Sequence, residues 1–377
     1  DSSLRIEGFL NGYRLGTSYK STVKRFEFAD GTVWSFEDIA NRVIWRGTSD
    51  DDVSLYGSEY DDRIFGYDGD DRIAGLWGSD HIDAGEGDDT IHAANGDDAV
   101  YGGGGNDWVD PGDGNDFVDG GAGDDVVSSR YSPWLMNWRS KYAVQRDGDL
   151  TLLFGHGDGH DVVEITNQRA DSNDVIRLKA GVAPEDVKLV REENDLVLRL
   201  PESGDSLRVR HWFSSVTDAG GNIGNPYRVE GIYFEDGTHW GEYEIRAGVL
   251  IGTEADDQLL GYAGSDDLIE GRAGNDILRG DTGGDTYVFR RGDGQDSIVD
   301  AGGTDRIHFI DRLPGDIGAR RIESDLVLDA GDDRVTIRNW FAPAAGGVQT
   351  VKFADGSEWG ADRLRQLVLT GTPGMDV

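Results

Sequence analysis

Between residues 57 and 128 one β-branched apolar position recurs every nine residues, as Ile64, Ile73, Ile82, Ile91, Val100, Val109, Val118 and Val127. Aspartate stands two places before each, at Asp62, Asp71, Asp80, Asp89, Asp98, Asp107, Asp116 and Asp125. The blocks begin at Gly57, Gly66, Gly75, Ala84, Ala93, Gly102, Pro111 and Gly120, and their fourth place is glycine except at Tyr60. One inward side chain flanked by outward ones, as in Trp108-Val109-Asp110, predicts a very short strand. The remainder, such as Gly102-Gly103-Gly104-Gly105-Asn106-Asp107, predicts a tight turn, because glycine takes positive φ freely and lets backbones approach. A nonapeptide buries its apolar residue only by stacking on its neighbours, so the period predicts a solenoid. Two units make one coil. Asp62, Asp80, Asp98 and Asp116 then stack on one side, and Asp71, Asp89, Asp107 and Asp125 on the other.

A less regular array covers 252–305, with aspartates at 257, 266, 276, 285, 296 and 305. One extra residue is read near Glu270 and two near Phe289-Arg290, before the turn Gly292-Asp293-Gly294-Gln295-Asp296. Gly155-His156-Gly157-Asp158-Gly159-His160-Asp161 is the equivalent earlier turn. A longer motif also repeats: Phe28-Ala29-Asp30-Gly31-Thr32-Val33-Trp34, Phe234 to Trp240, and Phe353 to Trp359. Each reads as a hairpin turning on Asp-Gly. Alternating strands precede them at Leu4-Arg5-Ile6, Leu207-Arg208-Val209 and Val335-Thr336-Ile337. The latter two lead into His211-Trp212-Phe213 and Asn339-Trp340-Phe341, and the aromatic residues are expected to fill a small β core. Further upstream, Asn194-Asp195-Leu196-Val197-Leu198 matches Ser324-Asp325-Leu326-Val327-Leu328.

Charge changes the picture. The 377 residues carry 36 Lys+Arg against 73 Asp+Glu, a net of −37. Within 57–128, twenty acidic side chains face two arginines. Aspartates stacked at strand spacing repel, so a bare stack should not fold and a cation is required. Carboxylates and turn carbonyls make an all-oxygen site, which suits Ca²⁺ over zinc or copper. High acidity with 37% hydrophobic residues fits disorder without the ion, while the strict Ile/Val position argues for a folded state with it. The charge disfavours nucleic acid and anionic membranes as partners. There is no cysteine, hence no disulfide, and metal ions would supply the rigidity instead. No apolar run approaches the roughly twenty residues of a membrane span.

These repeats resemble the bacterial RTX (repeats-in-toxin) family, and the hairpin segments resemble the haemolysin-type calcium-binding-related domain that accompanies RTX arrays. The resemblance implies an all-β fold: parallel β-roll arrays interleaved with small β-rich domains, elongated, with Ca²⁺ between same-side turns. In the family pattern each ion takes the carbonyls of positions two and four and the aspartate of one turn. The turn eighteen residues on adds the carbonyls of positions one and three and its aspartate. Carried over, one side would use Ser58, Tyr60 and Asp62 with Gly75, Trp77 and Asp80. Next come Leu76, Gly78 and Asp80 with Ala93, Asn95 and Asp98, then Ala94, Gly96 and Asp98 with Pro111, Asp113 and Asp116. The other side would use Tyr67, Gly69 and Asp71 with Ala84, Glu86 and Asp89. Its next sites are Gly85, Gly87 and Asp89 with Gly102, Gly104 and Asp107, then Gly103, Gly105 and Asp107 with Gly120, Ala122 and Asp125. That makes about six ions. In the second array the resemblance implies Thr253, Ala255 and Asp257 with Gly271, Ala273 and Asp276. It adds Tyr262, Gly264 and Asp266 with Gly280, Thr282 and Asp285, and Arg272, Gly274 and Asp276 with Arg291, Asp293 and Asp296.

The expected division is 1–45, the end of one associated domain; 46–128, the first roll; 129–154, an aromatic insertion or cap; 155–248, an associated domain; 249–300, the second roll; 301–369, another associated domain; and 370–377, the start of a further array. The chain is read as a piece of a longer protein. No zinc-protease, nucleophile-elbow or phosphate-loop motif occurs, so no enzyme activity is expected of it. His156 and His160 stand four apart in a glycine-rich turn, a poor frame for a transition metal. The family resemblance implies type I secretion and a secreted or bacterial-surface location. The expected role is a scaffold, monomeric as a fragment, that folds on extracellular Ca²⁺. The alternative is an adhesin binding a host surface or glycan through the basic, aromatic stretch around Trp134 and Trp138.

Overall fold

The computed structural model describes residues 25–35, 38–39, 42–128, 148–164, 173–214, 216–217, 223–224, 228–342 and 347–370. The expected strand at Leu4-Arg5-Ile6, the stretch holding Trp134 and Trp138, and residues 371–377 lie outside them. Two compact units, Asp1–Glu242 and Tyr243–Val377, are described separately.

In the first unit, consecutive strands alternate between two sheets. One sheet runs Ile44–Arg46, Arg63–Asp68, His81–Glu86, Ala99–Gly104, Asp116–Ala122, Leu150–Phe154, Val175–Leu178 and Gly231–Tyr233, all parallel. The other runs Leu55–Tyr56, Arg72–Trp77, Thr90–Asn95, Trp108–Asp110, Val126–Ser128, His160–Glu164 and Asp205–Val209, again parallel. All eight recurring Ile/Val side chains are at most 2% exposed. They form the core between the sheets. Many strands are six residues rather than the expected three. The turn backbones remain in register, Tyr67 opposite Gly85 and Leu76 opposite Ala94, so the ladder continues past the core position.

Residues 148–154, grouped in sequence with the aromatic insertion, are a turn and strand of the roll. The Leu150–Phe154 strand pairs with Asp116–Ala122. The ladders also run on through the segment expected to be a separate domain. They close in antiparallel strands: Asp205–Val209 with Asp195–Leu200 and Lys188–Glu192 on one sheet, and Gly231–Tyr233 with His239–Gly241 on the other. A solenoid end left as open parallel edge would expose core and unpaired backbone, and these hairpins cover it.

The second unit repeats the plan. Gln258–Leu260, Ile277–Gly283, Gln295–Gly303 and Asp333–Ile337 are parallel and end in the antiparallel Asp325–Ala330 and Gly318–Ile322. Leu268–Glu270, Thr286–Phe289, Arg306–Phe309 and Thr350–Lys352 are parallel and end in the antiparallel Glu358–Gly360. The three expected Asp-Gly hairpins form. Phe28, Phe234 and Phe353 meet Trp34, Trp240 and Trp359 edge-on, with ring centroids 4.6, 4.7 and 4.7 Å apart. Trp212 and Trp340 are buried, their indole N–H groups donating to the Val229 and Val348 carbonyls.

Candidate metal centres

The recurring aspartates form four columns, and one rule builds each. The backbone N–H of one aspartate donates to Oδ1 of the aspartate one coil further on. Asp62 donates to Asp80, Asp80 to Asp98, and Asp98 to Asp116, at 2.8, 2.8 and 3.1 Å. On the opposite side Asp52, Asp71, Asp89, Asp107, Asp125 and Asp161 are linked in the same way, at 2.7–3.0 Å. The second unit links Asp257 to Asp276 to Asp296, and Asp267 to Asp285 to Asp305.

The second oxygen decides what the columns can hold. At the column heads Asp52, Asp62, Asp257 and Asp267, Oδ2 accepts the backbone N–H of Thr48, Ser58, Thr253 and Tyr262. Inside the columns, Oδ2 of Asp71, Asp80, Asp89, Asp98, Asp107, Asp125, Asp276, Asp285 and Asp305 is buried with no hydrogen-bond partner among the described residues. Buried carboxylate oxygens left unmatched are costly, and the usual explanation is a missing ion or water. The space beside them has a defined lining. A Cβ added at Gly66 would lie 2.2 Å from the Ala84 carbonyl oxygen and 2.3 Å from Asp71 Oδ2. At Gly75 the distances are 2.6 Å to the Ala93 oxygen and 2.2 Å to Asp80 Oδ2, and at Gly102 both the Gly120 oxygen and Asp107 Oδ2 lie at 2.3 Å. The carboxylate of one turn and the position-one carbonyl of the turn eighteen residues on therefore converge on one spot.

The donors are all oxygen, so the set fits a hard cation such as Ca²⁺. Without the ion, desolvation raises Asp80, Asp107 and Asp161 to about 8, and Asp89 and Asp98 to about 7. Asp276 is raised to about 6 and Asp296 to about 8, again chiefly by burial.

The remaining expected residues fall as follows. The position-three carbonyls of Glu86, Gly104, Asp113 and Ala122 already accept backbone N–H groups of the preceding coil. Their second lone pair is what would face an ion. Asp62 is further tied to the Trp45 indole N–H at 2.8 Å, which starts its column. Asp266 is a correction: Asp267 occupies the column, and the extra residue lies within 261–267 rather than near Glu270. Ile269 is fully buried and Leu268 is 62% exposed, so the aspartate two places before the core residue is Asp267. The D-x-Ile spacing of the first array carried that signal. In the third turn Gly294, not Asp293, bridges Gly274. Asp293 Oδ2 accepts the Arg290 N–H at 2.6 Å. His156 and His160 contact different serines, Ser203 and Ser206, and form no shared metal frame.

Sequence reasoning missed the ends of the columns. Asp161 extends one column of the first unit, and Asp174 and Glu230 extend the other beyond Leu150. Gln349 ends one column of the second unit. It also missed two built-in cations. Lys179 Nζ lies 2.6 Å from Asp119 Oδ1 and 2.9 Å from Asp158 Oδ1. Desolvation opposes its charge, yet the two carboxylates hold its pKa above the ordinary value. At the matching place in the second unit, Arg290 pairs with Glu270.

Fold and site together define a calcium-binding parallel β-roll. Residues 46–82, 75–109, 112–129 and 251–287 match the RTX calcium-binding nonapeptide repeat, and 2–38, 195–242 and 326–363 match the haemolysin-type calcium binding protein related domain. These segments are thus RTX calcium-binding nonapeptide repeats and haemolysin-type related domains, and the repeats bind several Ca²⁺ ions. It is 35% identical over 112 residues to the iron-regulated protein FrpA of Neisseria meningitidis serogroup C, which covers 30% of this chain and 10% of that protein. The chain therefore spans about a tenth of the length of this curated relative. The crystal structure of the extracellular lipase LipA from Serratia marcescens aligns with 68% of this chain and 43% of its own, at 18% identity and TM-score 0.20. RTX repeat segments are non-catalytic. Among the described residues no helix is long and apolar enough to cross a membrane.

Proposed function

We propose that this chain is a calcium-dependent folding segment of a larger secreted bacterial protein. It leaves the cell unfolded through type I secretion machinery and folds on meeting extracellular Ca²⁺. Once folded it is a rigid scaffold for neighbouring domains, which carry the toxin, adhesin or exoenzyme activity of the whole protein. The observation that supports this reading is the row of buried, unmatched Oδ2 atoms inside the columns. With −37 net charge, the metal-free chain repels itself, and a bound cation removes both costs. The carboxylates of the interior aspartates, with the carbonyls of positions two and four of one turn and of positions one and three of the turn eighteen residues on, are the proposed ligands. Affinities like those of extracellular modules, with Kd on the order of 10⁻⁴–10⁻³ M, would leave the sites empty in the cytosol and filled outside.

Far-UV circular dichroism during a calcium titration tests this, with magnesium as control. A disordered spectrum should turn cooperatively to β signal with calcium alone. A β spectrum that persists in chelator would remove the folding switch and leave a preformed scaffold.

A further inference from the structure

One turn of the second roll departs from the nonapeptide pattern in a way that changes its chemistry. Position one of the repeat is glycine, alanine or proline throughout the first array. In the turn that ends at Asp305, the residue at this position is Asp300. The register with the preceding coil shifts there, Asp300 lying opposite Asp281 and Gly302 opposite Thr282. This bulge carries an acidic side chain to where other turns have none. Oxygens of Asp285, Asp300 and Asp305 all lie within 4.8 Å of one another. Asp285 is 0% and Asp305 1% exposed, and Oδ2 of each is among the buried oxygens without a hydrogen-bond partner. Asp300 is positioned by its surroundings, Oδ2 accepting the Tyr287 hydroxyl at 2.6 Å and Oδ1 the Gly302 N–H at 2.8 Å. Tyr287 is itself fully buried. The space is kept open by Gly280, where a Cβ would lie 2.0 Å from Asp285 Oδ2 and 2.5 Å from the Tyr287 hydroxyl oxygen.

We propose that Asp285, Asp300 and Asp305 form a three-carboxylate Ca²⁺ site, distinct from the two-carboxylate sites of the repeat, and that it fills first in the second roll. The inference rests on the calcium-binding reading of the roll. Ca²⁺ is ligated at about 2.3–2.6 Å, so oxygens up to about 5 Å apart can share one ion. A third carboxylate raises the charge facing the ion, and ligand charge count together with site rigidity sets affinity. Three carboxylates also match a trivalent lanthanide, and Tyr287 stands beside them as a sensitiser.

The test uses the full chain with Tb³⁺ as the probe, excited through its aromatic side chains, alongside calorimetric Ca²⁺ titration. The wild type should show one early, tight component. Asp300→Asn should weaken that component at least about tenfold, the order expected from losing one ligand charge, while the later sites and the calcium-induced β signal persist. Tyr287→Phe should keep the number of bound ions and lose the early emission. Unchanged stoichiometry and affinity in Asp300→Asn, with only the pH dependence of stability altered, would overturn the proposal: the acids would then share a proton instead of a metal. Should Asp300→Asn fail to fold, an early component in Tyr287→Phe calorimetry identical to its later sites would overturn it equally. Failure of the broader reading is distinguishable, because the wild type itself would then show no calcium-induced folding.

Discussion

From Tyr67 onward in the first array, position two of the nonapeptide has positive φ at glycine and non-glycine residues alike. Tyr67, Leu76 and Ala94 sit at φ 85, 87 and 87°, beside Gly85, Gly103 and Gly121 at 117, 118 and 106°. Non-glycine residues there carry strain of order 1–3 kcal/mol each, so stacking must over-determine the turn. Close approach limits the glycines further. A Cβ on Gly103 would lie 1.8 Å from the Gly85 carbonyl oxygen. Gly103→Ala should therefore destabilise the calcium-loaded roll by more than about 2 kcal/mol, read as a lower midpoint in chemical denaturation. Neighbouring aspartates should differ sharply. Asp107 Oδ2 is buried and unmatched, so Asp107→Asn should shift the calcium midpoint of folding upward. Asp97 is exposed and accepts the Asn115 N–H at 2.8 Å through one oxygen. At the same position Asn106 does this through its amide oxygen, accepting from Asp124 N–H, so Asp97→Asn should leave the midpoint nearly unchanged. Equal shifts in the two titrations would contradict the assignment of the inner column.

At the scale of the element, register follows the buried residue rather than the count of aspartates. The strand Leu268–Glu270 buries Ile269 and exposes Leu268. Ile269→Ala should cost about 2–5 kcal/mol, as a core deletion does, while Leu268→Ser should be nearly neutral. Thermal melts in saturating calcium check this, and the reverse order would restore Asp266 to the column. The ends of the roll are also decided here. In one unit Arg191 stacks on Phe213, the His211 N–H donates to Asp195, and Arg208 pairs with Asp195. In the other Arg321 stacks on Phe341, the Asn339 N–H donates to Asp325, and Arg338 pairs with Asp325. The matched Asn194-Asp195-Leu196 and Ser324-Asp325-Leu326 segments are thus the same closing hairpin used twice.

For the molecule as a whole, the interior carboxylates link folding to both protons and calcium. Burial raises Asp80, Asp107 and Asp161 to about 8 in the metal-free fold, above the ordinary 3.8. Stability contributed by such groups is present below about pH 4 and lost as pH rises through about 8, because the folded state holds the extra protons. The metal-free chain should therefore show more β signal at about pH 5 than at about pH 8. Calcium must displace those protons, so its midpoint should fall as pH rises. Circular dichroism at the two pH values, with and without calcium, checks both signs.

The nine-residue period, the inward Ile/Val position and the aspartate two places before it determined the roll, its two faces and the chemistry of its columns. These are local, repeated features, and stacking identical units adds nothing that one unit does not already specify. The tertiary structure alone decided where the columns begin and end. Trp45, Asp161, Asp174, Glu230 and Gln349 reach their places across loops of irregular length, which no period encodes. It also decided that Asp267 displaces Asp266, that Lys179 and Arg290 meet carboxylates from distant turns, and that Asp300 joins Asp285 and Asp305. Each of those depends on which strands become neighbours in the sheet, and that is set by burial of the whole core.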